Sequence, residues 1–239
     1  MVPMKAALMQ PYFFPYLGYF QLIKAVDQFI VYDDVQYMKG GWINRNRILM
    51  ENKPAWISLP VPPDSVSSEI RERRLSEREY EKSRIKILGQ LHAAYRKAPH
   101  YAETRQLVES ILAYDEPCLS LFLFNSLQKT SQHLGIETPL VLSSALQKND
   151  SALSGRDRVI AICKSVSATT YINSMGGREL YNVEEFAAEK IKLQFIEMSP
   201  IYYQQGGENF VPYLSIIDVM MFNDKTAIGQ HLQQYTLGA

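Results

Sequence analysis

The sequence predicts an α/β fold: a parallel sheet whose strand–helix alternation is interrupted by a β-hairpin and a helical insert. Three observations carry this. Residues 5–33 run strand, helix, strand within the length of one βαβ unit. Residues 44–61 hold two apolar runs around the turn signal "ENKP". From residue 139 onward, strand-length and helix-length apolar segments alternate again.

Taken in order, "KAALMQ" (5–10) reads as a strand that Pro11 and Pro15 end. Residues 16–26 place Leu17, Phe20, Ile23 and Val26 at helical spacing, and 28–33 is a second strand. A parallel strand pair joined this way takes a right-handed crossover. The hairpin of 44–61 stops at Pro62 and Pro63, and a further strand is predicted within 65–75, around Ile70. Residues 79–96 form a helix with Ile85, Leu88, Leu91 and Tyr95 on one face; Pro99 ends it. A helix over 101–113 follows. Pro117 then occupies a first-turn position, and Leu119, Phe122, Leu127, Thr130 and Leu134 form the stripe of a third helix, closed by Gly135. Next come a strand at 139–145, a helix at 155–166 (Val159, Ile162, Cys163 and Val166 inward), a strand at 169–174, a helix at 183–190 and a strand at 193–198. A mixed C-terminal region completes the chain. The reading is one composite domain, 1–239. Segments 1–38 and 136–239 form a Rossmann-like parallel sheet, and 39–135 supplies the hairpin and helical insert.

The 239 residues are 46% hydrophobic, enough for a substantial core without disulfide staples. Balanced charge, 25 basic against 25 acidic residues, argues against a general nucleic-acid binder. Cys118 and Cys163 sit in apolar helical patterns and read as buried thiols. No signal peptide and no membrane span are expected, which points to the cytoplasm. His92, His100, His133 and His231 show no metal spacing, so no metal site is assigned and no cofactor is named.

Ligands of open α/β sheets collect beyond the carboxyl ends of the strands. The polar residues there are Gln10, then Asp33, Asp34 and Gln36, then Ser143 and Ser144, then Asn173 and Ser174. In an extended segment Asp33 and Asp34 point opposite ways, so they read either as a solvated turn or as one catalytic or metal-binding carboxylate. In "WINRNRI", Asn44 and Asn46 share one strand face and Arg45 and Arg47 the other. Two alternate arginines make an anion clamp, or a charged edge strand. "SMGGRELY", ending at Tyr181, offers Gly176 and Gly177 as a backbone anion site, or is a plain loop. Asp218 lies in an apolar helical run, either on its wet face or held by a partner. His92 either reaches the rim or is a surface helix residue.

The run "QPYFFPYLGYFQLIKAVDQFIVYDDVQYMKGGWINRNRI" closely resembles the WbqC-like family, as do "SLPV" (58–61), "AYRKAPHY" (94–101), "YINSMGGRELY" and "LSIIDVMMFN". These motifs span nearly the whole chain. After the last, the family pattern has glycine where this chain has Asp224. The resemblance implies a bacterial protein of O-antigen or other surface polysaccharide synthesis, working on nucleotide-linked amino sugars. A weaker resemblance, to nucleotidyltransferases with an HxGH motif, places Tyr16-Leu17-Gly18-Tyr19 at that motif, with tyrosines replacing both histidines.

Two functions follow. One is an enzyme that transfers an acyl or aminoacyl group to a nucleotide-linked amino sugar. Arg45 and Arg47 would hold an anion, Asp33 or Asp34 would be the base, Tyr12, Phe13 and Tyr16 the walls, with Gly18 allowing close approach. The other is a non-catalytic nucleotide-sugar or partner-binding protein. A nucleotidyltransferase with an altered motif is a further alternative. Homo-oligomerisation is left open.

Overall fold

A computed structural model describes residues 3–65, 67–147, 153–207 and 209–238. Its frame is a mostly parallel, six-stranded sheet. Strand β1 (Lys5–Met9) lies inside it. On one side are β2 (Gln28–Val31) and β5 (Leu140–Leu142), and on the other β6 (Thr170–Ser174), β7 (Lys192–Met198) and β8 (Tyr235–Gly238). The pairings β1–β2, β2–β5, β1–β6 and β6–β7 are parallel; β8 is an antiparallel edge. The order β5-β2-β1-β6-β7-β8 therefore reverses direction at β1, the arrangement of a doubly wound α/β sheet.

The period-two pattern of β1 explains the layers. Ala7 packs on the face covered by helix α1 (Leu17–Lys24), whose Leu17, Phe20 and Ile23 are buried there. Ala6 and Leu8 face the opposite layer, built by α5 (Gly155–Ser165) and α6 (Val183–Ala188) through Val159, Ile162, Cys163 and Phe186.

The hairpin pairs β3 (Arg45–Met50) with β4 (Lys53–Ser58) in a separate two-stranded sheet. Its loop is Glu51-Asn52, both at positive φ (49° and 61°), as a two-residue type I′ turn requires. The turn is thus shorter than "ENKP", and Pro54 lies within β4, opposite Leu49. Three helices follow: α2 (Glu77–Tyr95), α3 (Tyr101–Leu112) and α4 (Leu119–His133). Ile48, Ile57, Leu91, Val108 and Phe122 belong to the same apolar cluster as Ala7 and Phe20, so this segment packs on the sheet through one continuous core. Helices α7 (Ile216–Phe222) and α8 (Lys225–His231) close the chain before β8. Asp224 caps α8, its Oδ1 accepting the Ala227 N–H at 2.7 Å, so the departure from glycine has a local purpose.

Several local expectations are corrected. The strand predicted around Ile70 is a 3-10 turn, Ile70–Glu72 (residue 66 lies outside the described residues). A reciprocal capping box between Glu69 and Glu72 holds that turn, and one buried isoleucine suffices to anchor it. Leu91 and Tyr95 are buried on the inward face of α2 as predicted and Leu88 is partly buried, but Ile85 is 61% exposed and Ile87 is buried in its place. Pro117 lies outside α4, whose N-cap is Cys118. Cys118 is only half-buried, whereas Cys163 is buried and its thiol is pushed up to about 12 by desolvation.

Asp218, on α7, is fully buried. Its carboxylate accepts from Tyr95 Oη (2.7 Å), Tyr203 Oη (2.6 Å) and Gln205 Nε2 (2.9 Å), and Tyr95 Oη in turn accepts the Leu49 N–H at 2.9 Å. One carboxylate thereby joins α2, the hairpin, the 199–215 segment and α7. Desolvation raises the Asp218 carboxyl above its ordinary value, and its three donors offset part of that rise. Folding therefore takes up a proton in the window between the unfolded value, about 3.9, and the raised folded value. Stability falls as pH rises through that window and is level above it. Urea unfolding across this range should show that slope, and Asp218→Asn should abolish it. Tyr95→Phe, which strips a partner from both Asp218 and Leu49, should cost about 1–3 kcal/mol, read from the same unfolding curves.

Candidate functional site

A sheet whose order reverses leaves a crevice between the two strands that diverge, here β1 and β6. The chain leaves β1 through Gln10-Pro11 into the aromatic loop and leaves β6 through Ser174-Met175-Gly176. Between these exits lies a cavity of about 470 Å³, within the size range of small-molecule sites. Tyr12, Tyr16, Ser174, Gly176, Glu197 and Tyr213 are among its walls. A second cavity, of about 250 Å³, is lined by Tyr12, Tyr16, Trp42, Asn46, Arg47 and Tyr213. A third, of about 440 Å³, runs along Tyr16, Tyr202, Tyr203, Phe210 and Tyr213. All three share Tyr16 and Tyr213, whose rings meet edge to face at 6.2 Å. The result is one branched, aromatic-walled cleft at the switch point.

Burial raises the hydroxyls of Tyr12 and Tyr16 above their ordinary value, with a smaller contribution from each one's tyrosine neighbour. Both therefore stay neutral near pH 7 and offer hydrogen bonds and ring faces, not charge. Tyr19 is buried, and its hydroxyl donates to the Gln10 carbonyl at 2.9 Å. Of the two tyrosines at the HxGH-like positions, only Tyr16 presents itself broadly to the cleft. Gly18 lines the larger cavity and also makes room for its neighbour. A Cβ there would lie 2.5 Å from Tyr16 Cε2, so its missing side chain makes room for the Tyr16 ring.

Positive charge enters through the hairpin. Arg45 and Arg47 do share a face, packed on the tryptophans of the same sheet. Arg45 lies 4.3 Å over Trp56, and Arg47 lies 5.2 Å from Trp42 and 5.9 Å from Trp56. They differ in what they have left to give. Arg45 donates to the carbonyls of Gly40 and Gly41. The Arg47 side chain has no hydrogen bond or acidic partner among the described residues, and its Nε is buried without an acceptor. It lines the cleft as an uncompensated cation. Asn44 and Asn46 share the other strand face and hold the hairpin in place, Asn46 also bordering the smaller cavity. Asn44 bonds Tyr37 Oη and the Leu59 carbonyl; Asn46, buried, bonds the Phe13 and Phe14 carbonyls and so ties the hairpin to the aromatic loop.

Asp33 and Asp34 are both buried, 1% and 3% exposed, in place of one inward and one outward. Ser143 explains this: its Oγ lies 3.0 Å from Asp33 Oδ1 and within hydrogen-bond reach of Asp34 Oδ1. Asp33 also accepts from Ser144 N (3.0 Å) and Ser144 Oγ (2.6 Å), and Asp34 pairs with Arg158 at 2.9 Å. These acids clamp the ends of β2 and β5 to α5. Neither is among the residues lining the three cavities.

The remaining candidates separate. Ser174 and Gly176 line the cleft; Gly177 packs under Asn173, whose Nδ2 would be 2.3 Å from an added Cβ. The glycine stretch is a 3-10 turn, Met175–Leu180, not an open anion loop. Phe13 is fully buried core, not a wall. Tyr181 packs against Tyr171 and Phe186. Gln36 is exposed and bridges to Glu69. His92 meets Tyr101 at 3.0 Å in the helical insert, and Asp218 is sealed in its own network. Sequence reasoning missed Trp42 and Tyr213 as cleft residues. Among the described residues, no group of three or more His, Cys, Asp or Glu is placed to hold a metal, and no helix is long and apolar enough to cross a membrane.

The family model described as the WbqC-like protein family matches residues 10–230. The chain belongs to this family. Its match takes in the aromatic loop, the hairpin, the glycine turn and α7. The uncharacterised protein Rv1507c of Mycobacterium tuberculosis is 31% identical over 222 residues, covering 92% of this chain and 93% of its own length. No solved structure matches the chain significantly.

Ser143→Ala removes the hydroxyl shared by two buried carboxylates and the Asp33 N–H. It should lower stability by about 1.5–3 kcal/mol in urea unfolding.

Proposed function

We propose that this chain is a cytoplasmic bacterial enzyme of surface polysaccharide synthesis that transfers an acyl or aminoacyl group to a nucleotide-linked amino sugar. It works as one composite unit, 1–239, in which the insert contributes to the cleft. One observation supports this reading above the rest: an aromatic cleft at the sheet's switch point carries a single uncompensated guanidinium, Arg47. Aromatic faces stack on bases and on sugar rings. A guanidinium packed beside two tryptophans suits a phosphate or carboxylate, since its fork of donors is preorganised and weakly hydrated. The WbqC-like match over residues 10–230 takes in the aromatic loop and the hairpin that line this cleft, which supports reading the cleft as the working site. Asp33 and Asp34, saturated by Ser143, Ser144 and Arg158, position the rim and are not the base.

A second reading, a non-catalytic nucleotide-sugar-binding protein, draws on that same saturation: the acids first suited to catalysis are occupied. Incubation of the protein with nucleotide amino sugars and acyl donors (ATP with amino acids, or acyl thioesters), followed by mass spectrometry, separates the two. The enzyme yields a product heavier by the acyl group. Saturable binding with no product after long incubation supports the binding protein. Arg47→Ala should weaken nucleotide-sugar binding about tenfold or more, with a folded, unshifted unfolding curve; unchanged affinity removes Arg47 from the site.

A further inference from the structure

The smaller branch of the cleft, about 250 Å³, is defined by its charge count and its size. Arg47 is the one basic side chain among the residues lining the three cavities. Its guanidinium packs beside Trp42 and Trp56 and keeps its donors unspent among the described residues. The other walls of this branch add no charge. Burial raises the hydroxyls of Tyr12 and Tyr16, so both stay neutral, and Trp42 and Tyr213 contribute ring surface. Asn46 is already used: its amide nitrogen serves the Phe13 and Phe14 carbonyls, and its oxygen accepts the Arg47 backbone N–H at 2.8 Å. The branch therefore offers one positive charge, in a forked geometry, at the edge of an aromatic space.

We infer that the smaller branch holds the sugar ring of a nucleotide-linked sugar acid, with the sugar's carboxylate paired to the Arg47 guanidinium. This rests on the reading proposed above and names a further group that its sugar carries. A carboxylate brings one negative charge to one guanidinium, and its two oxygens match the fork of donors. A diphosphate brings at least two. The excess would be held against aromatic walls with no counter-charge, and an uncompensated charge away from water is costly. Size points the same way. At about 250 Å³ the branch falls below the roughly 300–1,000 Å³ usual for sites that enclose a whole drug-sized ligand, so it takes one ring and not a nucleotide. It shares Tyr12, Tyr16, Trp42 and Tyr213 with the branch of about 470 Å³. A sugar seated on Arg47 thus continues into the larger branch, where its nucleotide lies. Sugar rings stack on such walls through their C–H faces, and the charge pair fixes which end of the ring points to the hairpin.

Calorimetry on the full chain tests the inference with UDP, UDP-glucose and UDP-glucuronate, with GDP, GDP-mannose and GDP-mannuronate, and with free glucuronate. In one of the two nucleotide series the wild type should bind the sugar acid about tenfold more tightly than the neutral sugar. Arg47→Ala should bring that ratio to about one and leave affinity for the bare nucleotide unchanged. Arg47→Lys, which keeps the charge without the fork, should restore part of the preference. Should Arg47→Ala fail to fold, Arg47→Met, which keeps the stem on the tryptophans, reads the same ratio. If no nucleotide or nucleotide sugar binds, the nucleotide-sugar reading fails and takes this inference with it. If they bind but the wild type shows no preference for the acid, the inference is overturned alone. The same holds if Arg47→Ala weakens the bare nucleotide as much as the sugar acid, because the guanidinium then holds phosphate. If free glucuronate binds through Arg47 while its nucleotide conjugates do not, the pocket takes a free acid and the nucleotide-linked assignment is overturned.

Discussion

The architecture depends on one topological constraint: strand β1 lies in the middle of the sheet. From β1 it moves outward to β2 and β5, then returns to lay β6 and β7 on the other side. Right-handed crossovers in opposite directions must cover opposite faces. That is why α1 packs on the Ala7 face and α5 and α6 on the face of Ala6 and Leu8. It is also why the segments leaving β1 and β6 part company above the sheet. The cleft is the space they leave, so it is a property of strand order before it is a property of any side chain.

Filling that space falls to the aromatic loop and to the insert. Phe13 and Phe14 anchor the loop in the core, while Tyr12 and Tyr16, on either side of them, keep faces toward the cavities. Asn46 locks the hairpin against the Phe13 and Phe14 carbonyls, which brings Arg47 and Trp42 to the rim. The buried Asp218 network then fastens the hairpin to α2 and α7 through Tyr95. A buried carboxylate is a costly fastener, tolerable here because three donors converge on it. Its benefit is geometric: segments distant in sequence are set at fixed positions around the cleft.

Asp33, Asp34 and Asp218 use their lone pairs on the fold, joining strand ends and helices. Arg47, by contrast, keeps a side chain without an acceptor and lines the cleft. Sequence position alone does not distinguish these roles. Engagement does, and engagement depends on where Ser143, Arg158 and Tyr203 arrive from elsewhere in the chain.

What the sequence determined by itself is local and periodic. The helical stripes of α1, α4 and α5, the strands of the βαβ start and the hairpin all follow from apolar spacing and turn chemistry, which act over a few residues. Where competing local signals were close in strength, as at Ile70 or along Ile85 and Ile87, packing chose between them. The aromatic loop was legible as unusual, and its position after a strand pointed to the rim. Only the tertiary structure decided the strand order, the antiparallel β8 edge and the different fates of Arg45 and Arg47. Each of these rests on contacts between residues far apart in the chain, and the spacing of residues along a sequence carries no record of which distant partner has used up a side chain's hydrogen bonds.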